Sequence, residues 1–295
     1  MKYRIHFFFL VFILILNHVI AQEKLAHSLL WKVTDPQTQR YVYIFGTIHM
    51  IPESDFFWPQ QLDTAIRQSG KIVFEIDMNE IADPNKIFEL MPLLMMRNDT
   101  SLADLLSVDE MKVVSDHFEK LGLPMILISK FKPLFLSVMA SDGISGDALQ
   151  SGNYKSYELV LQNLADSLEK ETGGLETINF QVSLFDAIPY KKQAKMLLDA
   201  IQQSNSGSDS MVVKLAKDYR SQNLEAMAEA AEKDPGTAEF LELLLYSRNR
   251  NWIPLIRKQM EEKVCLIAVG AGHLGGPNGI LRLLQKESYI LTPMN

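Results

Sequence analysis

Four short stretches of the chain are apolar and rich in β-branched or aromatic residues: "YVYIFG", "KIVFEID", "KVCLIAVG" and "SYILTP". Runs of this length, bounded by glycine, proline or polar residues, predict strands, and the unbroken hydrophobicity of the third predicts one covered on both faces. "GGLET" adds a short fifth. Between them, apolar positions recur at helical spacing in "PQQLDTAIRQSG", "SVDEMKVVSDHFEKLG", "SYELVLQNLADSLEKE", "YKKQAKMLLDAIQQS", "MVVKLAKDYRSQNLEAMAEAAEK" and "NWIPLIRKQMEEK". Gly70 and Gly122 are expected helix stops, and Ser107 followed by Glu110 fits a capping box. The stretch "QQSNSGSDS" at 202–210 reads as a loop between two helices. The middle of the chain, from "MPLLMMRNDTSLADLL" to "EAAEKDPGTAEFLELLLYS", is rich in Met and Leu at helical spacing, which predicts core packing in preference to a substrate groove. Strands toward both ends with helices between them imply an α/β (α+β) fold: a central mixed sheet from N- and C-terminal strands, flanked by helices, with a largely helical middle segment.

The first residues follow another pattern. Lys2 and Arg4 precede an apolar run from Phe7 to Leu16, and Val19 and Ala21 are small residues before Gln22. That is the pattern of a secretory signal peptide over 1–21, cleaved after Ala21, and the run is short of the roughly 20 residues that span a bilayer. The chain is therefore expected to be exported, periplasmic or secreted, with no stable membrane span after cleavage and with 22–295 as a single domain. Cleavage removes two cations and no acid, taking the formal charge from −7 to −9. With no basic cluster along the chain, nucleic acid is excluded as a partner. Cys265 is the only cysteine of the 295 residues, so no intramolecular disulfide exists, and its apolar setting reads as a small buried hydrophobe.

The candidate chemistry lies at two strand ends. "YVYIFGTIHM" ends in Gly46, two residues and His49, and "CLIAVGAGHL" ends in Gly270, two residues and His273. Glycine there allows a positive φ or a close approach to another group, and a histidine three residues on stands at the sheet edge where open α/β sheets bind ligands. Of the six histidines, His6 and His18 lie in the leader, and His27 and His117 read as structural or exposed. In "KIVFEIDM", alternation sets Glu75 and Asp77 opposite Phe74 and Ile76, and a carboxylate in such a strand needs a partner. If the three strands are neighbours, His49, Glu75 and His273 converge as two imidazoles and a carboxylate, a set suited to Zn²⁺, Mn²⁺, Co²⁺ or Fe²⁺. The competing reading is that each histidine caps its strand on backbone groups and Glu75 pairs with a lysine or arginine.

The sequence resembles the TraB/GumN (TraB/PrgY/GumN) family, to which the Tiki metalloproteases are related. The resemblance rests on "SLLWKVTDPQTQRYVYIFGTIHM", "IVFEID", "GGLETINFQ", "SRNRNWIPLI" and "AVGAGHLGGPNGILRLLQKESYIL", in the family's order and over most of the mature chain. It implies that His49, Glu75 and His273 form the site, with Arg248 and Asn249 near it and Glu176 in support. A planar guanidinium at Arg248 suits a carboxylate or a developing oxyanion, although a helix-end salt bridge would use it equally. Where relatives carry an aspartate before the helix preceding the Leu-Glu-Thr segment, this chain has Glu158, to which no role is assigned.

The resemblance implies an extracytoplasmic, peptidase-like hydrolase dependent on a divalent metal (Mn, Co or Zn), with a peptide or small-molecule substrate. Its general base and oligomeric state are not assigned, and no H-E-x-x-H is present. Two alternatives stand beside it: a non-catalytic protein that sequesters a peptide signal, and a metal-free esterase in which His49 activates water.

Overall fold

The computed structural model describes residues 24–141, 154–204, 211–234, 236 and 238–294, so the leader and residues 205–210 of the polar loop lie outside the described residues. Six strands form the main sheet: β1 (Leu30–Thr34), β2 (Tyr41–Thr47), β4 (Lys71–Ile76), β6 (Glu171–Glu176), β7 (Cys265–Gly270) and β8 (Ile290–Pro293). Two short strands, β3 (Ile51–Pro52) and β5 (Tyr154–Lys155), pair separately. The order in the main sheet is β6-β4-β7-β2-β1-β8. The first four of these run parallel and the last two are antiparallel, so the sheet is mixed. The three strands carrying His49, Glu75 and His273 at or just beyond their ends are direct neighbours, with β7 at the centre. All five residues from Cys265 to Val269 are buried, as expected of a parallel strand covered on both faces. Burial pushes the Cys265 thiol up to about 12, which leaves it inert.

The parallel strands finish at one edge. Thr47 lies opposite Gly270, and Ile76 opposite Glu176, so the chain leaves β2, β4, β6 and β7 on the same side. Helices Leu62–Gln68, Tyr157–Ser167 and Ser247–Glu262 pack on the sheet, and Trp252 and Ile256 of the last join its core. A second apolar cluster is largely helical. Met96, Leu102, Val114, Phe118, Leu136, Leu197 and Ile201 meet there, drawn largely from helices Val108–Lys120, Pro133–Ser141 and Tyr190–Ser204.

Several expectations change in detail. "LWKVT" is a strand that hydrophobic runs alone do not single out, joined to β2 by a hairpin in which Gln39 has φ 60°. The segment expected as one helix from Met211 to Lys233 is two, Met211–Arg220 and Leu224–Lys233, broken where Gln222 takes φ 54° and Asn223 caps the second through Ala226 N–H. The helix expected at Asn251 starts at Ser247, directly after a π-helical turn over Glu242–Tyr246. Core packing in the Met-rich middle holds for Met96 and Leu102, whereas Met91, Leu93 and Met95 are more than a third exposed. Gly122 has the positive φ of a helix stop, and Ser107 with Glu110 forms the capping box.

Candidate functional site

The two strand-end glycines do their work by close approach. Neither has a positive φ. A Cβ on Gly46 would stand 2.9 Å from Leu274 Cδ1 and 3.1 Å from Ala271 Cα, so the first Gly-x-x-His turn packs directly on the second. A Cβ on Gly270 would stand 3.2 Å from Glu75 Oε1, and the bare Gly270 N–H donates to that oxygen at 2.8 Å. The glycines thereby let the ends of β2, β4 and β7 close on one another.

Behind Glu75 lies a buried polar network. Glu75 Oε2 accepts from Arg248 Nη2 at 2.6 Å and from Gln181 Nε2 at 3.2 Å. Arg248 also donates through Nε and Nη2 to Glu176 Oε1, at 2.9 and 2.5 Å, and through Nη1 to Leu244 O at 2.8 Å and His273 Nε2 at 3.2 Å. All five of its N–H groups are thus engaged. Leu244 belongs to the π-helical turn, an uncommon element often found beside functional sites, which here supplies the carbonyl that fixes the guanidinium. Glu176 also accepts from Gln181 at 2.8 Å and from the Trp252 indole at 2.9 Å, and the Trp252 and His273 rings lie 4.5 Å apart.

Hydrogen-bond accounting fixes the state of His273. Asn249 Nδ2 donates to Asn278 O at 2.9 Å, so its Oδ1 faces His273 Nδ1 at 2.6 Å and must accept from it. Nε2 faces a guanidinium N–H and therefore carries the lone pair. Burial pushes the pKa of His273 down, and with Arg248 alongside it outweighs the pull of Glu75, leaving it at about 4. Glu75 goes the same way. Burial alone would raise its carboxyl, but His273, Arg248, His49 and the Gly270 N–H together hold it at about 2. At neutral pH the pair is a carboxylate and a neutral imidazole.

His49 stands in a different setting, its side chain 67% exposed against 5% for His273. Its Nδ1 lies 3.0 Å from Glu158 Oε1, which can only accept while ionised, so Nδ1 carries the hydrogen. Glu158 Oε1 also accepts from the Thr47 hydroxyl at 2.7 Å, and Oε2 from the Ser156 hydroxyl at 3.0 Å. Burial would raise the Glu158 carboxyl, yet the pull of His49 and these hydrogen bonds hold it below the usual carboxylate range. His49, Glu75, Glu158 and Gln181 line one cavity of about 170 Å³.

The structure therefore brings Glu75, Glu176, Arg248, Asn249 and His273 into one hydrogen-bonded network and places His49 on the cavity in front of it. Glu75 pairs with an arginine, as the plainer reading of its strand expected. Arg248 holds the two carboxylates of Glu75 and Glu176, as the salt-bridge reading of its guanidinium expected, and its remaining donors go to Leu244 O and His273 Nε2. Glu158, Gln181 and Trp252 were not identified as site residues. The sequence signals for Glu158 were an acid beside two hydroxyl side chains at a helix start and the aspartate that relatives carry at that position.

The donor chemistry fits a divalent cation. Each imidazole has Nδ1–H on an outer oxygen, the arrangement that orients metal-binding histidines, and a carboxylate held ionised stands with them. His273 Nε2 and Glu75 Oε1 lie 3.6 Å apart, about the separation of two ligands each roughly 2.0–2.2 Å from one tetrahedral ion. The third donor is not at that spacing. Among the described residues no group of three or more His, Cys, Asp or Glu is placed to hold an ion, and Arg248 contacts both Glu75 Oε2 and His273 Nε2.

A sequence model of the TraB/PrgY/gumN family matches residues 29–293. The chain is similar to metalloprotease TIKI1 of Homo sapiens, at 24% identity over 91% of this chain and 62% of that protein. It is 24% identical to metalloprotease TIKI1 of Xenopus tropicalis, over 89% of this chain and 61% of that protein. Metalloprotease TIKI2 of Xenopus tropicalis is 23% identical over 91% and 60%. The chain spans about three-fifths of the length of these curated relatives. No solved structure matches it.

Proposed function

We propose a function from one premise: the chain belongs to the TraB/PrgY/gumN family. In our reading it is a metal-dependent, peptidase-like hydrolase that works after export, as the leader pattern over residues 1–21 suggests, with 22–295 as its catalytic unit. Support comes from similarity to proteins named metalloproteases. The observation that carries the reading is the pair formed by Glu75 Oε1 and His273 Nε2, 3.6 Å apart at the carboxyl edge of the sheet, with His49 on the same cavity as Glu75.

His49, Glu75 and His273 would hold the ion. Bound there, a divalent cation would lower the pKa of a water and polarise a scissile carbonyl. The rest falls to the chain. Asn249 holds His273 in the tautomer that leaves Nε2 unprotonated, and Glu158 does the same for His49. Arg248 neutralises the carboxylates of Glu75 and Glu176, and so positions Glu75 and His273 instead of touching substrate. The exposed His49 ring is the group best placed to meet substrate or water from the cavity.

A second reading is favoured by a specific observation, the contact of the Arg248 guanidinium with both Glu75 Oε2 and His273 Nε2. In it the buried half stays a closed ion-pair network, and His49, oriented by Glu158, acts as general base on water without a metal. One experiment separates the two. Hydrolysis of a peptide mixture is followed with EDTA and with Mn²⁺, Co²⁺ or Zn²⁺, for the parent and for His49→Ala and His273→Ala. Turnover that needs an ion and is lost in both variants supports the metal reading. Turnover that survives EDTA refutes it, and no turnover under any condition refutes both.

A further inference from the structure

The cavity in front of Glu75 has an apolar wall that the hydrolase reading leaves unused. Helix Met78–Ala82 begins directly after β4, where the Asp77 carboxylate accepts from the Asn79 N–H and caps it. Met78 and Ile81, three residues apart, fall on one face of that turn, and both line the cavity with Phe74, Ile76 and Ala268. The polar wall opposite has already spent much of its capacity. Glu75 Oε2 accepts from Arg248 and Gln181, and Glu158 Oε1 from Thr47 and His49. In the metal-free chain, in which the probes below are compared, two carboxylates also disfavour an acidic guest. A guest side chain thus meets an apolar surface and few spare acceptors, the combination in which shape and apolar contact set preference. The volume of about 170 Å³ is close to the roughly 150 Å³ of a dry apolar cavity that takes a benzene ring.

Resting on the hydrolase reading, we propose that this cavity is a side-chain subsite selecting a mid-sized apolar residue, of leucine to phenylalanine size, beside the scissile amide, with Met78 and Ile81 as its specificity-determining residues. Alanine underfills it and a glutamate is repelled. Apolar pockets distinguish neighbouring sizes by about 10–200-fold.

The test needs no turnover. The full chain, labelled at Met and Ile methyl groups, is titrated by NMR with the N-acetyl amides of leucine, phenylalanine, alanine, glutamate and lysine. The leucine and phenylalanine probes are expected to bind at least tenfold more tightly than the other three and to shift the Met78 and Ile81 methyl signals. In Ile81→Glu, at a side chain already 40% exposed, that binding falls by at least tenfold while the fold is kept. Equal affinities, a preference for the lysine or glutamate probe, shifts confined to other methyl groups, or no response to Ile81→Glu would overturn the assignment. Failure of the hydrolase reading looks different: the apolar probes bind, yet no peptide is cleaved with any ion. Cleavage with no preference for apolar residues would keep the hydrolase and sink the subsite.

Discussion

His49 and His273 follow the same glycine-plus-two spacing after adjacent parallel strands, yet the first side chain is 67% exposed and the second 5%. The difference lies in what covers each turn. His273 sits under helix Ser247–Glu262, which brings Arg248, Asn249 and Trp252 onto it. His49 meets the first turn of helix Tyr157–Ser167, where Glu158 takes its Nδ1–H and the ring faces the cavity. One local motif thus serves two purposes. In our reading the buried copy is fixed by a charge network that also supports the fold, and the exposed copy faces the cavity. Glu75 joins the halves, tied to Arg248 on one oxygen and to the Gly270 N–H on the other.

That contrast is broken most severely at Arg248. Arg248→Met leaves Glu75 and Glu176, both nearly buried, without their counter-charge, and loss of one partner of a buried pair costs about 3–5 kcal/mol. The urea midpoint is expected to fall accordingly. A loss below about 1 kcal/mol would mean that the buried half is not the structural one.

Asn249→Leu comes next. It strands the Nδ1–H of His273, and an unsatisfied buried donor costs about 1–3 kcal/mol. Gly46→Ala is expected to cost a similar amount, because its Cβ meets Ala271 backbone at 3.1 Å, and overpacking is worth about 1–3 kcal/mol.

The pH dependence of stability sharpens the same contrast. The folded-state pKa of His273 lies at about 4, below its ordinary 6.5. The unfolded chain therefore takes up a proton that the folded chain refuses, and stability present above pH 6.5 is lost as pH falls toward 4. Glu75, lowered from 4.5 to about 2, adds a second loss as pH falls from about 4.5 toward 2. Urea titrations from pH 7.5 to 4 should show the first decline, and His273→Gln should reduce it. A variant that declines as steeply as the parent would contradict the assignment.

The smallest effect is expected at the exposed copy. His49→Ala should change stability by less than about 1 kcal/mol, since the His49 side chain is exposed and Glu158 keeps its hydrogen bonds from Thr47 and Ser156. Hydrolysis in His49→Ala should nevertheless fall by about a hundredfold or more, whether the ring helps hold the ion or, in the metal-free reading, serves as the base. Large unfolding of His49→Ala in the same urea titration would erase the contrast.

The sheet, and the meeting of the candidate residues His49, Glu75 and His273 at its edge, were legible in the sequence because their signals are local. Strand runs end in glycine, a histidine follows at fixed spacing, and alternation isolates Glu75 in an apolar strand. What stayed hidden depends on tertiary contact. Glu158 looks like any helix N-terminal acid until Thr47 and Ser156 are seen to share it with His49. Gln181 and Trp252 acquire roles only through contacts made in three dimensions, both donating to Glu176, Gln181 also to Glu75, and Trp252 lying against His273. The saturation of Arg248 follows from the π-helical turn, which carries no glycine or proline to announce it. The helix break at Ser221–Asn223 escaped for the same reason, with Gln222 taking the left-handed conformation that glycine would have signalled.

In our reading the exposed and buried copies share one ion through Glu75. The most direct test is elemental mass spectrometry on the full chain after incubation with Mn²⁺, Co²⁺ or Zn²⁺ and desalting, with folded His49→Ala and Glu75→Gln in parallel. The account predicts about one ion per chain in the parent and its loss in both variants. An ion retained in His49→Ala, or none in the parent with any of the three metals, would contradict it.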